Sequence, residues 1–280
     1  MEGAQRGASF NQLIADNFGE PTSAEEFCDW AQWINYEGYR AMYESGSRDR
    51  MGLLIWMSHP CWPSMVWQTY DYYLEPTAAY FGVKHACEPL HVQWNPSSNY
   101  VEIVNHSAGR QEGIVKACII DLNGRTVWEN RQGYVCDEDM TLEMMQIEVP
   151  EEVVGAYILR LTLTDNRGNV CSMNDYVNTT IENDRTSLHD LRQTQVTAVT
   201  SPNAITLTNM GNVPAIMLRL NHKGDDGEQI LPVIYSDNYF HLMPGESRTI
   251  DVEWKVEDAR GCQPVIEISG TNVSKSKIAL

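Results

Sequence analysis

A mostly β chain is expected, with two immunoglobulin-like β-sandwich domains behind an α–β–α segment of the kind that ends a (β/α)8 barrel. Three observations predict it. Short strand candidates divided by turn residues fill the chain after Pro89. A helix with its own start signal precedes them, beginning at Ser23. Between that helix and a second one lies Met51–Met57, a continuous apolar run of the sort found in strands covered on both faces.

Each element has a local reason. Ser23-Ala24-Glu25-Glu26 reads as a capping box, with Ser23 accepting from the Glu26 amide and Glu26 reaching back. Phe27, Trp30, Ala31, Ile34, Gly38, Ala41 and Met42 then recur at helical spacing, and Ser45-Gly46-Ser47 ends the helix. Pro76 suits the first turn of a helix over Thr77–Cys87, which Glu88-Pro89 stops. Strands follow at His91–Asn95, Tyr100–His106 and Gly113–Asp121. Asn123-Gly124 then supplies a tight type I′ hairpin into Thr126–Arg131. Tyr157, Leu159, Leu161 and Leu163 share one face of Tyr157–Leu163, with Arg160 and Thr162 on the other, and Val170–Val177 returns beside it. Polar Asn183–Ser187 reads as a linker. Beyond it, Ala204–Thr208, Pro214–Asn221, Gln229–Ser236, Tyr239–Leu242, Arg248–Trp254 and Pro264–Ser269 form a second β unit. The expected domains are 1–89, 90–182 and 190–280; each β unit has roughly the length of an immunoglobulin domain. A whole barrel needs about 250 residues, so residues 1–89 hold only a part of one.

Composition narrows the function classes. The chain has 280 residues and a formal net charge of −18. That charge argues against nucleic acid or an anionic membrane as partner, since both need basic patches. No apolar run approaches the roughly 20 residues of a membrane helix, and Met1–Arg6 opens no signal-peptide core. Seven cysteines with no CxxC argue against a zinc site and a disulfide framework; most read as buried free thiols. No GxSxG, HExxH, P-loop or dinucleotide fingerprint occurs, so no cofactor and no metal site is expected. Asp225-Asp226 with Glu228 reads as a solvated acidic turn. Asn105, Asn178 and Asn272 open glycosylation triplets of a kind that arises by chance.

One stretch carries more aromatic surface than a buried strand requires. "GLLIWMSHPCWPSMVWQTYDYY" (52–73) holds Trp56, Trp62, Trp67, Tyr70, Tyr72 and Tyr73. Together with "NYEGYRAMYES" (35–45), its continuation to Trp94, and "VIYSDNYFHLMPGES" (233–247), it resembles the C-terminal part of glycoside hydrolase family 2 enzymes. The exo-β-D-glucosaminidases and β-mannosidase-like members are the similar branches. The resemblance implies a retaining exo-β-glycosidase acting on terminal β-linked sugars of oligosaccharides. It also implies that residues 1–89 end the catalytic barrel, and that a bacterial parent enzyme is periplasmic or extracellular. The two catalytic carboxylates of that family would precede this chain, so no catalytic residue is assigned and the chain alone is expected to be inactive. Glu37 and Glu44 are read as helix residues facing solvent.

Trp56 matches the tryptophan at the end of the eighth barrel strand, where an indole walls the sugar site; core packing is the other reading. His59 stands as a hydrogen-bond partner for a sugar hydroxyl or as a structural histidine, and Tyr70 as a further substrate-binding candidate. The loop reads Ser58-His59-Pro60-Cys61-Trp62 where the glucosaminidases tend to have Asn-Asn-Ala-Trp. Trp62 is expected to anchor the loop by packing, and Trp67, Tyr72 and Tyr73 to pack between barrel and sandwich. An apolar surface covered by the absent barrel strands, or by self-association, is expected around Met51–Met57. A different class of function, a non-catalytic carbohydrate-binding or adhesion module, would use Trp94, Trp128 or Trp254 as platforms. As strand residues, Trp128 and Trp254 read as inward-facing.

Overall fold

The structure, a computed structural model, describes residues 4–45, 52–64 and 68–280, with side chains from Gly7 onward. The chain forms two compact units, Met1–Leu54 with Gly82–Asp190, and Ile55–Phe81 with Leu191–Leu280. With 42% of its residues in strands and 19% in helices, it is mostly β.

Unit 1 begins with a helix the sequence reading omits. Helix α1 spans Ala4–Phe18. It ends at Gly19, whose φ of 84° lets its N–H bond Ala15 O. Helix α2, Ala24–Glu44, starts where expected, and Ser23 Oγ accepts from the Glu26 amide at 3.1 Å. The return bond of the box goes elsewhere: Glu26 Oε2 accepts from the Thr22 N–H and hydroxyl, both at 2.6 Å. The buried stripe of α2 is also rotated from the expected one. Gly38, Ala41 and Met42 are exposed, while Trp30, Trp33, Tyr36, Tyr39, Arg40 and Glu44 are buried. The expected end at Gly46-Ser47 lies outside the described residues. Helix α3 spans Ala78–Ala86. Within unit 1 its Gly82 meets α2 so closely that an added Cβ would lie 2.4 Å from Tyr36 O, which only glycine allows.

The strand expected at Met51–Met57 is absent from its described part. Residues 52–57 form no ladder, and Leu54 and Trp56 are almost fully exposed. A parallel barrel strand is held by bonds on both edges; among the described residues no strand pairs with this run, and the sheets present are antiparallel.

The unit 1 sandwich has a sheet of β1 (Leu90–Asn95), β2 (Tyr100–Asn105) and β5 (Met140–Gln146). The other sheet has β3 (Gln111–Ile120), β4 (Thr126–Cys136), β6 (Ala156–Asp165) and β7 (Val170–Thr179), ordered β4-β3-β6-β7. Leu159, Leu161 and Leu163 are wholly buried against Val92, Ile103, Val115 and Ile119, so the predicted alternation of β6 builds the core. Between β3 and β4 only Gly124 takes a positive φ, and Asp121 Oδ1 accepts from the amides of Asn123 and Arg125. The turn is therefore a type I turn closed by a left-handed glycine, not the expected type I′. The supposed linker is anchored: Arg185 N–H bonds Asn17 O, and a 3-10 turn at Thr186–Asp190 buries Leu188.

Unit 2 is a second sandwich. One sheet is ordered β11-β13-β9-β8 and the other β12-β10-β14-β15. Here β8 is Val196–Ser201, β9 Ala204–Asn209, β10 Ala215–Gly224, β11 Ile234–Tyr235, β12 Phe240–Leu242, β13 Ser247–Glu253, β14 Pro264–Gly270 and β15 Val273–Ala279. Gln229–Ser236 shrinks to the two residues of β11, because Pro232 has no N–H for a ladder. Asp225 and Asp226 carboxylates accept turn amides of Gln263 and Glu228. Only Cys118 and Cys136 are buried thiols, against the expectation that most would be. Asn105 and Asn272 are buried and donate to main-chain carbonyls, which withdraws both from glycosylation.

Candidate functional site

Three residues were singled out in the aromatic stretch, and the structure places all three in unit 2. Trp56 is 81% exposed. His59, three residues later, is also exposed, and among the described residues neither side chain has a hydrogen bond or ring contact. Tyr70 is half-buried, with its ring 5.3 Å from that of Tyr80. The main chain links this group: Ser58 O accepts from the Tyr70 N–H at 3.0 Å and the Thr69 hydroxyl at 3.1 Å. Asp71 then folds the chain back, its Oδ1 accepting from the amides of Tyr73 and Glu75. So Trp56, His59 and Tyr70 share one loop system without touching one another through side chains.

Two packing expectations fail here. Trp62 is 68% exposed and anchors nothing among the described residues, and Tyr72 and Tyr73 pack edge-on against each other at the surface. Trp67 lies outside the described residues. The stretch presents its rings outward: Trp56, Trp62 and Tyr73 are each more than half exposed.

The polar machinery that sequence reading missed lies in unit 1. Glu44, read as solvent-facing, is 6% exposed at the end of α2. Its Oε1 accepts from His91 Nε2 at 3.1 Å and from Asn174 Nδ2 at 2.8 Å, and the Tyr176 hydroxyl donates to the same carboxylate at 3.0 Å. His91 Nδ1 faces Glu88 Oε2 at 3.5 Å, where Ser172 Oγ also donates at 2.7 Å. Arg40 donates to Asn174 Oδ1 and Asp175 O, with its guanidinium 4.1 Å from the centre of the Tyr176 ring. Every named group has a partner, so the arrangement locks α2 onto β1 and β7 and commits the buried Glu44 carboxylate to His91, Asn174 and Tyr176. No sequence signal of the periodic kind could reveal it; the only pointer was Arg40 and Glu44 at i, i+4 on α2.

Burial opposes charge on all these groups, but the partners prevail. Burial alone would push His91 down, but the hydrogen bonds it donates to Glu44 and Glu88 outweigh that and hold it above its ordinary range. Glu44 lies below its range because His91, Arg40 and Asn174 outweigh the same penalty, and Glu88 is pulled down to about 2 against burial by His85 and His91. Unit 2 holds an opposite case. His222 is 1% exposed, neither ring nitrogen has a partner, and its ring meets Trp254 edge-on at 4.7 Å; burial pushes it down to about 4.

These two histidines set opposite pH dependences. A raised His91 contributes stability that is complete below pH 6.5 and is lost as pH rises through its folded value. The lowered Glu44 and Glu88 contribute above about pH 4.5 and lose it on acidification toward their folded values. A depressed His222 works the other way: its contribution is complete above pH 6.5 and falls away toward pH 4. A fall from 6.5 to about 4, at 1.36 kcal/mol per pH unit, amounts to about 3 kcal/mol. Acidification from pH 7 to 5 is therefore expected to weaken unit 2 while unit 1 holds. Hydrogen exchange of each unit across this range measures it, and His222→Phe should remove the acid sensitivity of unit 2. Equal losses in both units would contradict the assignment.

The comparisons with known proteins agree with one another. Residues 174–273 match the exo-β-D-glucosaminidase Ig-fold domain family. The chain is 30% identical to the exo-β-D-glucosaminidase of Hypocrea jecorina, an alignment that takes in 97% of this chain and 34% of that protein. It is 27% identical to the exo-β-D-glucosaminidase of Streptomyces avermitilis, over 96% of this chain and 34% of that one. The crystal structure of the Amycolatopsis orientalis exo-chitosanase CsxA superposes with a TM-score of 0.89 at 25% identity, covering 97% of this chain and 37% of its own. The chain thus spans about a third of the length of the curated relatives it matches.

Proposed function

From its correspondence to the C-terminal portion of glycoside hydrolase family 2 enzymes, we propose that this chain is the C-terminal part of a retaining exo-β-glycosidase. The parent enzyme removes terminal β-linked sugars, such as glucosamine or mannose, from oligosaccharides. One observation carries the reading: almost the whole chain aligns with an exo-β-D-glucosaminidase at 30% identity. In the proposed division, residues 1–89 belong to the end of the catalytic barrel, and 90–182 and 190–280 are the two immunoglobulin-like sandwiches. The exposed Leu54, Trp56 and Met57 support it, because an eighth barrel strand has neighbours on both edges and this run has none among the described residues.

In this reading Trp56 walls the sugar on its apolar face, His59 hydrogen-bonds a hydroxyl, and Tyr70 borders the same site. The acid/base and nucleophile, two carboxylates about 5–5.5 Å apart, belong to earlier barrel strands. The carboxylates of unit 1 do not replace them: Glu44 is committed to His91, Asn174 and Tyr176, and Glu37 to Trp33 and Arg185.

The chain alone is accordingly expected to hydrolyse no nitrophenyl β-glucosaminide, mannoside or galactoside. A version extended through the remaining barrel strands is expected to hydrolyse at least one. Turnover by the chain alone, abolished by a substitution within it, would overturn the proposal.

A further inference from the structure

A cleft of about 360 Å³ opens in unit 1 between α2, β1 and β7, lined among others by Glu37, Gln93, Trp94, Tyr176, Asn178 and Arg185. A second hollow of about 180 Å³ shares Trp94, Asn178 and Arg185 with it. We infer that this cleft binds one or two units of a neutral β-linked saccharide, with Trp94 as the stacking surface and the Asn178 amide as a donor to a sugar hydroxyl. The choice of a saccharide rests on the glycosidase reading; the existence of a ligand site does not.

Trp94 is prepared for such a role. Its Nε1 donates to Asn99 Oδ1 at 3.1 Å, and Asn99 Nδ2 is itself tied to Ile147 O. Its backbone N–H donates to the Tyr176 hydroxyl at 3.0 Å, and the Tyr176 ring stands edge-on at 5.9 Å. The indole is thus fixed before any ligand arrives, which removes the ordering cost that a mobile ring would add to binding. It is only partly buried on the sandwich core and lines both hollows.

Asn178 supplies the second observation. Its Nδ2 is buried and has no acceptor at normal hydrogen-bond distance, its polar neighbour being the phenol of the cross-strand residue Tyr157, which it influences only weakly. Buried amide donors are almost always satisfied, and each exception asks for an explanation. Asn178 borders both hollows, so a rotation of its side chain would bring that amide to an acceptor seated in either.

The charges of the cleft select the ligand. Arg185 is spent on Val177 O, Asn17 Oδ1 and Glu37, and Arg40 on Asn174 and Asp175 O beside Glu44. With its cations and anions already paired, the cleft has no surplus charge for a phosphate or a carboxylate. What it offers is an apolar ring face surrounded by planar amides and guanidinium edges. That combination suits a pyranose, whose C–H face is apolar and whose rim carries hydroxyls.

The test titrates the chain with tetramers of β-1,4-linked N-acetylglucosamine and of glucosamine, and with maltotetraose as an α-linked control, following tryptophan fluorescence and amide NMR shifts. Saturable binding of the neutral N-acetylglucosamine tetramer is expected, with shifts at residues 93–97 and 176–178; binding of the cationic glucosamine tetramer alone would overturn the neutral assignment. Asn178→Ala, which removes only a weak contact with the Tyr157 phenol, and Trp94→Phe, which keeps an apolar ring, should each weaken it by about tenfold. Thermal unfolding of both variants checks that the sandwich is intact. No binding up to about 10 mM, a range corresponding to negligible affinity, would overturn the inference. So would binding that both variants leave unchanged, or binding that Trp56→Ala abolishes instead. Because hydrolysis plays no part in the readout, a failed activity test with intact binding would remove the glycosidase reading alone.

Discussion

Glu44→Ala is expected to lower the melting temperature of unit 1 by about 10 °C. The substitution removes the acceptor for His91 Nε2, Asn174 Nδ2 and the Tyr176 hydroxyl at once. Arg40, 3% exposed, then keeps its positive charge without its nearest buried carboxylate, and His91, 2% exposed, is left with Glu88 alone. Breaking a buried ion pair from one side costs about 3–5 kcal/mol, because the remaining charge stays desolvated. For a unit of this size about 2–4 °C accompanies each kcal/mol. Calorimetry or circular dichroism at pH 6 measures the shift. Hydrogen exchange should show α2 and β7 opening together. Glu88→Ala, at a partly exposed site, should cost much less. A change below about 2 °C for Glu44→Ala would show that water screens the network, and that apolar contacts alone hold α2 in place.

If the proposed parent glycosidase is assembled, Trp56→Ala is expected to lower its kcat/KM by roughly 5- to 150-fold. The estimate takes an aromatic stacking contact at about 1–3 kcal/mol, with each 1.36 kcal/mol worth tenfold in rate. In this chain the same change should shift melting by less than about 0.5 kcal/mol equivalent, the usual range for a surface substitution. The 81% exposure of the ring is what makes the second half of the prediction sharp: here the indole has no core to support. Kinetics of the full-length variant and unfolding of the same variant in this chain are read together. Normal kinetics with a collapsed melting temperature would assign Trp56 to packing and remove it from the sugar site. His59→Ala, measured beside it, should act in the same direction with a smaller loss, since a single hydrogen bond contributes about 0.5–1.5 kcal/mol.

Much of the sandwich architecture could be read directly. The strict alternation of β6 puts Leu159, Leu161 and Leu163 inside, and the turn residues around Gly124 and Gly168 mark the hairpins. The words shared with family 2 enzymes pointed to a relation that the comparisons bear out. The aromatic loop was also visible as a place where rings exceed what a core needs, although its expected strand was not formed.

What the sequence determined by itself is therefore local: caps, hairpins, the two-residue period of central strands, and a family likeness carried by contiguous words. Tertiary structure decided the rest. Strands β8 and β15 escaped notice because an edge strand such as Val273–Ala279 exposes nearly all its side chains and is recognised only by its neighbour. Helix α1 escaped because its buried face is no more than Ile14, Asn17 and Phe18, which acquire meaning from Trp30 and Trp33. Most of all, Arg40 and Glu44 look like surface charges in any one-dimensional reading. Glu44 meets His91 across 47 residues and Asn174 across 130. A charge can be buried only where its partners converge, and that convergence is a property of the folded chain, not of any segment of it.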